Sequence, residues 1–260
     1  RLNAKLSEMS NITIEDMQAL QIDDYYLHAA EALPTMIGFL GSAFENDQEA
    51  KKYIALLKEW DFYADPNQKA PTIFYLWWKK TYSQIWKELS ENKAPIVLPS
   101  YYQTVLFMKN ESEGELFDMK STAEVETADS HVKQGFKDML LDMKKWEAEE
   151  GDFSWANYKK TSIQHLVPQF KSFSVENVYT GGGSGMLNAT SSRAGASWRM
   201  VVELGDEVKA FGIYPGGQSG NPGSKFYSNF IQKWAVGEYL KYDLRTLDQS
   251  EGVLFQTILY

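Results

Sequence analysis

The chain has 260 residues, of which 43% are hydrophobic and 14% aromatic, with a formal charge of −9. That length supports one large or two modest domains with a real core, and eight tryptophans and fifteen tyrosines argue against disorder. The acidic balance speaks against nucleic acid as a partner, no run approaches the roughly 20 apolar residues that span a bilayer, and the lack of cysteine excludes disulfides and thiolate metal sites.

Residues 1–150 read as a helical region. Leu2, Leu6 and Met9 recur at helical spacing, and Asn11 closes the run. Thr13 and Asp16 have the spacing of a capping box, opening a helix that carries Met17, Leu20, Tyr25, Leu27 and His28 as far as Pro34. Pro34 suits the first turn of a new helix with Met36, Leu40 and Phe44 on its apolar face. Gln48 to Trp60 predicts a third helix, residues 62–71 a loop, and Thr72 to Leu89 a fourth. This last one carries Phe74, Trp77, Trp78, Tyr82 and Trp86. So wide an apolar surface reads as a helix buried in an all-α layer, with a carbohydrate- or acyl-binding face as the alternative. Ala94 to Ser100 is extended, and Tyr101 to Met108 stays open between helix and strand. The polar run from Lys109 to Met119 is a surface excursion. Thr122 to Glu147 predicts a long helix whose core face includes Val125, Val132, Phe136, Met139 and Met143.

Residues 151–260 read as a β-rich region with a C-terminal helix. Phe153 and Trp155 lead into a strand-bearing segment, and Ser197–Leu204 with Val208–Tyr214 predicts a hairpin about Gly205-Asp206. Phe226 to Tyr239 has a helical period, and Val253 to Leu259 is a last β-like segment. Glycines cluster at Gly181–Gly185 and again at Gly216–Gly223. Such clusters fold main chain tightly around a ligand or around neighbouring strands, and structural turns are the plainer reading, because neither set matches a phosphate loop or a dinucleotide fingerprint.

Side-chain chemistry by itself points to no reaction. His28, His131 and His165 form no close pair and no HExxH, so no metal ligands are assigned, and His165 reads as structural. No G-x-S-x-G elbow is present. Asp61, Asp65 and Asn67 begin like a calcium loop but lack its glycine and distal Glu, which leaves a turn.

The wording of several segments is more specific. Ala194-Gly195-Ala196-Ser197-Trp198-Arg199-Met200-Val201-Val202, then Pro215-Gly216-Gly217-Gln218-Ser219-Gly220-Asn221-Pro222, then Gly237-Glu238-Tyr239, resembles the later part of the penicillin amidase family. These N-terminal-nucleophile hydrolases include penicillin, cephalosporin and acyl-homoserine-lactone acylases. Thr13 to Asp23 is similar to the family's T-x-x-D-M-x-x-L-Q-x-D, and Trp60-Asp61 with Ala70-Pro71 and Phe74 to its W-D…A-P-x-x-F. The resemblance covers nearly the whole chain and is weakest between Val97 and Lys159.

The resemblance implies an α+β chain contributing to an αββα N-terminal-nucleophile fold, and the C-terminal portion of an amidohydrolase that cleaves an acyl group from an amine. In the family, a precursor cut frees an N-terminal nucleophile whose own α-amine is the general base. That nucleophile, the oxyanion-hole Asn and a supporting Arg all precede the T-x-x-D-M motif. No catalytic residue is therefore assigned here; Arg1 lies just downstream of where the supporting Arg belongs, and the chain alone is expected to be inactive. Residues carried over are supporting ones: Asn188 at the family's T-V-N-A, although Met186-Leu187 replaces Thr-Val, and Arg199, Gln218, Ser219 and Asn221 in the later motifs. Lys225-Phe226-Tyr227 stands where members often have S-P-H-Y, which puts any role of that histidine in doubt. The implied partners are the rest of the precursor, or the α-subunit and the N-terminal part of the β-subunit, and a small acyl-amide substrate. No cofactor is expected on this chain, the full family fold leaves room for calcium, and the location implied is periplasmic or extracytoplasmic. Arg1 opens the chain without an initiator Met, which fits a piece of a longer product. The alternative to an acylase portion is a non-catalytic domain that binds a partner through its aromatic helix.

Overall fold

The computed structural model describes residues 1–92, 95–167 and 169–243. The segment expected at Val253–Leu259 lies outside the described residues. A helical region is followed by a region of small sheets. The helices are α1 (Leu2–Glu8), α2 (Ile14–Gln21), α3 (Leu27–Leu40), α4 (Gln48–Lys58), α5 (Ala70–Ile85), α6 (Lys87–Glu91), α7 (Tyr101–Asn110), α8 (Ala128–Glu149) and α9 (Trp155–Lys159). After them come β1 (Thr161–Ile163), β2 (Val175–Val178), β3 (Arg199–Glu203), β4 (Lys209–Ile213), α10 (Ile231–Val236) and β5 (Leu240–Tyr242). Among the described residues the expected β-rich layer amounts to one antiparallel pair, β1-β2, and one three-stranded sheet, β3-β4-β5. The α+β class holds at this level.

The chain forms two compact units. The first comprises Arg1–Glu8 and Ile22–Gly195. Its core is helical, with α5 packed on α8 and Trp77, Trp78, Phe74 and Phe136 all fully buried. Burying an aromatic side chain of this kind contributes roughly 1.5–3 kcal/mol, which is why the tryptophan-rich face of α5 faces inward. The Trp77 indole donates to the Val132 carbonyl at 2.9 Å, so its one polar atom is satisfied inside the core. Gly135 lets α8 approach α5 closely, since a Cβ there would overlap the Thr81 side chain and backbone. The tryptophan face of the aromatic helix is thus interior.

The second unit comprises Met9–Gln21 and Ala196–Tyr260, of which residues up to Asp243 are described. The expected hairpin pairs Arg199 with Ile213 through to Glu203 with Lys209, and β5 adds to β4 at Ala210–Gly212. Within this unit α2 meets the sheet where the Gln21 amide donates to the Met200 carbonyl at 3.1 Å. The Thr13–Asp16 box forms, with the Asp16 amide on Thr13 Oγ1 and the Thr13 amide on Asp16 Oδ2.

Several boundaries differ from the sequence expectation, each for a local reason. The helix expected from Thr13 to Pro34 stops at Gln21 and restarts at Leu27, because residues 24–26 pair instead with residues 62–64. Pro34 therefore sits inside α3 and does not open a helix. The aromatic helix divides at Trp86. Tyr101–Asn110 is helical, opened by a Ser100–Gln103 capping box. The long helix begins at Ala128, where Thr127 and Ser130 cap it, so Val125 is solvent-exposed and not in the core. His131 lies buried, with Nε2 2.7 Å from the Phe117 carbonyl, although its neighbours in sequence are polar. Trp155–Lys159 is a short helix ahead of the strand at Thr161, and the helical run expected over Phe226–Tyr239 is confined to Ile231–Val236.

Candidate functional site

The break between α2 and α3 puts Asp24 where a helix would have turned it elsewhere. The amide of Ala64 donates to the Asp24 carbonyl and that of Tyr26 to the Phe62 carbonyl, which fixes this stretch against residues 62–64. The Asp24 carboxylate accepts from the Asn188 amide at 2.7 Å. Asn188 Oδ1 in turn accepts from the Thr190 hydroxyl at 2.7 Å. The first glycine cluster wraps this group. Gly182 adopts a φ of +72°, and a Cβ on it would overlap the Asn188 carbonyl; a Cβ on Gly181 would overlap the Asp24 carboxylate. The glycines are thus required by close approach of main chain to a buried polar cluster, and the Gly182 carbonyl accepts from the Trp155 indole at 2.7 Å.

Lys159, at the end of α9, completes the cluster. It is 8% exposed, and its ammonium donates to the carbonyls of Gly181, of Gly182 at 3.1 Å and of Thr190 at 3.0 Å. All three N–H bonds are engaged, which offsets part of what a buried ammonium loses on leaving water. Burial lowers the Lys159 pKa to about 7, against the opposing pull of Asp24. Burial also raises Asp24 to about 6, while the Asn188 hydrogen bond and the Lys159 charge pull it down.

Beside this loop lies a cleft of about 920 Å³, within the first unit, lined on one side by Gly183, Ser184, Gly185 and Met186 and elsewhere mainly by aromatic rings. Tyr75, Trp155 and Tyr158 form one wall, with ring centroids 5.8 Å apart for Tyr75–Trp155 and for Tyr75–Tyr158. Tyr26, His28 and Tyr101 form another, with His28 and Tyr101 centroids at 5.2 Å. Burial lowers the His28 pKa to about 4, so its imidazole is neutral near pH 7.

The residues singled out from sequence fall into two places. Asn188 belongs to the buried cluster of the first unit. Arg199, Gln218, Ser219 and Asn221 belong to the second unit. Arg199 is buried and donates from Nη1 to the Trp234 carbonyl at 2.7 Å, with its guanidinium 5.1 Å from the Trp234 ring centre. The Trp234 indole donates to the Ala196 carbonyl at 2.9 Å, which closes the start of β3 onto α10. Ser219 Oγ accepts from the Asn221 amide at 3.1 Å, Asn221 Oδ1 accepts from the Gly223 amide at 3.0 Å, and Gln218 is exposed. His165 is half-buried, with Nδ1 accepting from the Val167 amide at 3.1 Å. Asp24, Lys159 and the cleft tyrosines carry no motif. The one hint in the sequence is the Asp23-Asp24 pair inside the run read as a single helix from Thr13 to Pro34. Among the described residues no three His, Asp or Glu side chains are placed to hold a metal ion.

A model of the penicillin amidase family matches residues 1–249. The acyl-homoserine lactone acylase QuiP of Pseudomonas syringae pv. tomato is 34% identical over 61 residues, which are 24% of this chain and 7% of that protein. Among solved structures, a thermostable penicillin G acylase from Alcaligenes faecalis is similar with a TM-score of 0.53 at 12% identity. That match covers 100% of this chain and 51% of the acylase chain. At that identity the likeness is one of fold alone, and the chain spans about half the length of this solved relative.

Proposed function

This chain belongs to the penicillin amidase family, and from that premise we propose that it is the C-terminal portion of an amidohydrolase that frees an acyl group from an amine. The family match over residues 1–249 carries this reading. The segments around Arg199 and Gln218 support it, because their wording is that of the later part of the family's catalytic subunit. The finer fold in this reading is the αββα N-terminal-nucleophile arrangement, completed by chain that precedes these motifs.

In such an enzyme an N-terminal Ser or related group attacks the amide carbonyl, its own α-amine taking the proton. Backbone N–H groups and an Asn side chain hold the oxyanion. The amine then leaves, and water releases the acid. None of these groups is assigned to a numbered residue here. The part played by this chain is support: Arg199 ties β3 to α10, Ser219 and Asn221 tie the second glycine loop, and Asn188 ties the first. The substrate is a small acyl-amide, the location extracytoplasmic, and any calcium belongs to the full family fold, with no step passing through it. A domain that recruits a partner through its aromatic helix would need Trp77 and Trp78 at a surface, and both are buried.

The test is to express the full-length gene product and sequence the N-termini of the mature chains. The expected result is an internal cut that exposes Ser, Thr or Cys upstream of Thr13, with acyl-amide hydrolysis lost when that residue is changed to Ala. An uncut product, or hydrolysis that survives the change, contradicts the proposal.

A further inference from the structure

Tyr26, Tyr75, Tyr101, Tyr102, Trp155 and Tyr158 all line the cleft of the first unit. Trp146 extends the same wall, its ring centre 5.0 Å from that of Tyr158. A ring of this kind presents an electron-rich face, which attracts a cation lying within about 6 Å of its centre. Glu31 enters the same lining, one turn along α3 from Leu27 and His28, which also reach the cleft. It is half-buried, and its carboxylate has no hydrogen bond or ion pair among the described residues. Two other carboxylates of this region do have partners: Glu150 pairs with Lys160 at 2.9 Å, and Asp24 accepts from Asn188 at 2.7 Å. Burial costs a carboxylate part of its hydration, and only donors or an opposite charge restore it. Rings and carboxylate thus act on a ligand's charge in one direction.

The basic groups at the cleft do not cancel this. Lys159 gives all three N–H bonds to loop carbonyls, Lys160 is paired with Glu150, and His28 is neutral near pH 7. We propose that the cleft binds a small organic cation of the quaternary ammonium class, its methyl groups against the aromatic faces and its charge balanced by Glu31. A primary ammonium carries three N–H bonds that each need an acceptor. A quaternary ammonium carries none and turns C–H surface towards the rings, so the apolar walls suit it better. An anion would meet Glu31 and the same electron-rich faces. A neutral molecule of equal shape would gain from apolar burial alone. The proposal rests on this cleft and not on the acylase reading.

Choline is the probe, titrated against the full 260-residue chain by ligand-observed NMR at constant ionic strength. The alcohol in which carbon replaces its nitrogen repeats the shape without the charge. Pivalate carries three methyl groups beside a negative charge, and ethanolamine is the primary ammonium counterpart. The expected result is saturable one-site binding of choline, about fivefold or more tighter than each of the three. Glu31→Gln keeps the shape and removes the charge. It should weaken choline by about fivefold or more and leave the neutral alcohol within about twofold. Tyr101→Phe keeps the ring face and Tyr101→Leu removes it, so the first should bind choline within about twofold and the second about threefold or more weaker. Circular dichroism checks that each variant is folded, and the Glu31 and Tyr101 variants decide independently. The proposal is overturned if choline does not saturate, or if the alcohol, pivalate or ethanolamine binds as tightly. It is equally overturned if E31Q binds choline unchanged, or if Y101F and Y101L bind it alike.

Discussion

Gly182 and Gly185 both lie in the left-handed region, at φ +72° and +82°, yet their surroundings differ. A Cβ at Gly182 would overlap the Asn188 carbonyl, whereas a Cβ at Gly185 has open space. Gly185→Ala should therefore lose only the backbone term, about 1–2 kcal/mol, and Gly182→Ala that term plus the displacement of Asn188, about 3 kcal/mol or more. Chemical denaturation of the two variants checks the order. Arg199 makes a second test at this scale. Arg199→Ala removes the donor to the Trp234 carbonyl inside the second unit, and should lower the thermal midpoint by a loss of about 1–3 kcal/mol. In the proposed full-length acylase the effect should fall on stability or maturation. A mature R199A enzyme with an unchanged midpoint but kcat/KM reduced about 10³-fold has lost roughly 4 kcal/mol at the transition state and would refute the supporting role. Asn188, Arg199 and Asn221 stand out in the sequence because they sit in family wording. Lys159 does not, because one lysine in a polar-looking YKKT becomes a buried donor only once three carbonyls surround it.

At the scale of elements, the stretch between α2 and α3 shows what period alone misses. Met17, Leu20 and Leu27 keep a helical rhythm across residues 22–26, but these residues gain more by pairing with 62–64. Tertiary pairing overrode local preference, and the result is a half-buried Asp24. The helices α4, α5 and α8 were legible because their apolar period runs unbroken for three turns or more. α8 begins six residues after its apolar period suggests, because Thr127 caps it. Thr127→Ala should lower stability by about 1 kcal/mol, measured by urea denaturation.

Asp24 also gives the first unit a pH signature. Its folded pKa is raised, so its stabilising share is fully present below the unfolded value, about 4, and is lost as pH rises through about 6. Lys159 is lowered, so its share is present above the unfolded value of about 10.5 and is lost as pH falls through about 7. The wild type minus Asp24→Asn difference in unfolding free energy should thus become less favourable to wild type between pH 4 and pH 6, by about 2–3 kcal/mol. A flat difference across that window would mean that Asp24 ionises as freely in the fold as in water.

For the whole molecule, family membership and the absence of an assigned nucleophile are consistent readings of one chain. The family match runs over residues 1–249, and the solved relative is about twice as long. In the proposed reading these motifs follow the family's catalytic groups, so they point to the family and not to the reacting atoms. The most direct measurement of this account is hydrolysis of an acyl-amide by purified residues 1–260, side by side with the matured full-length protein. Positioning and a nucleophile together supply most of the barrier reduction in acyl transfer. The account predicts turnover by the full-length protein and none by the chain alone. Hydrolysis by the chain alone, at a rate proportional to its concentration, would contradict it.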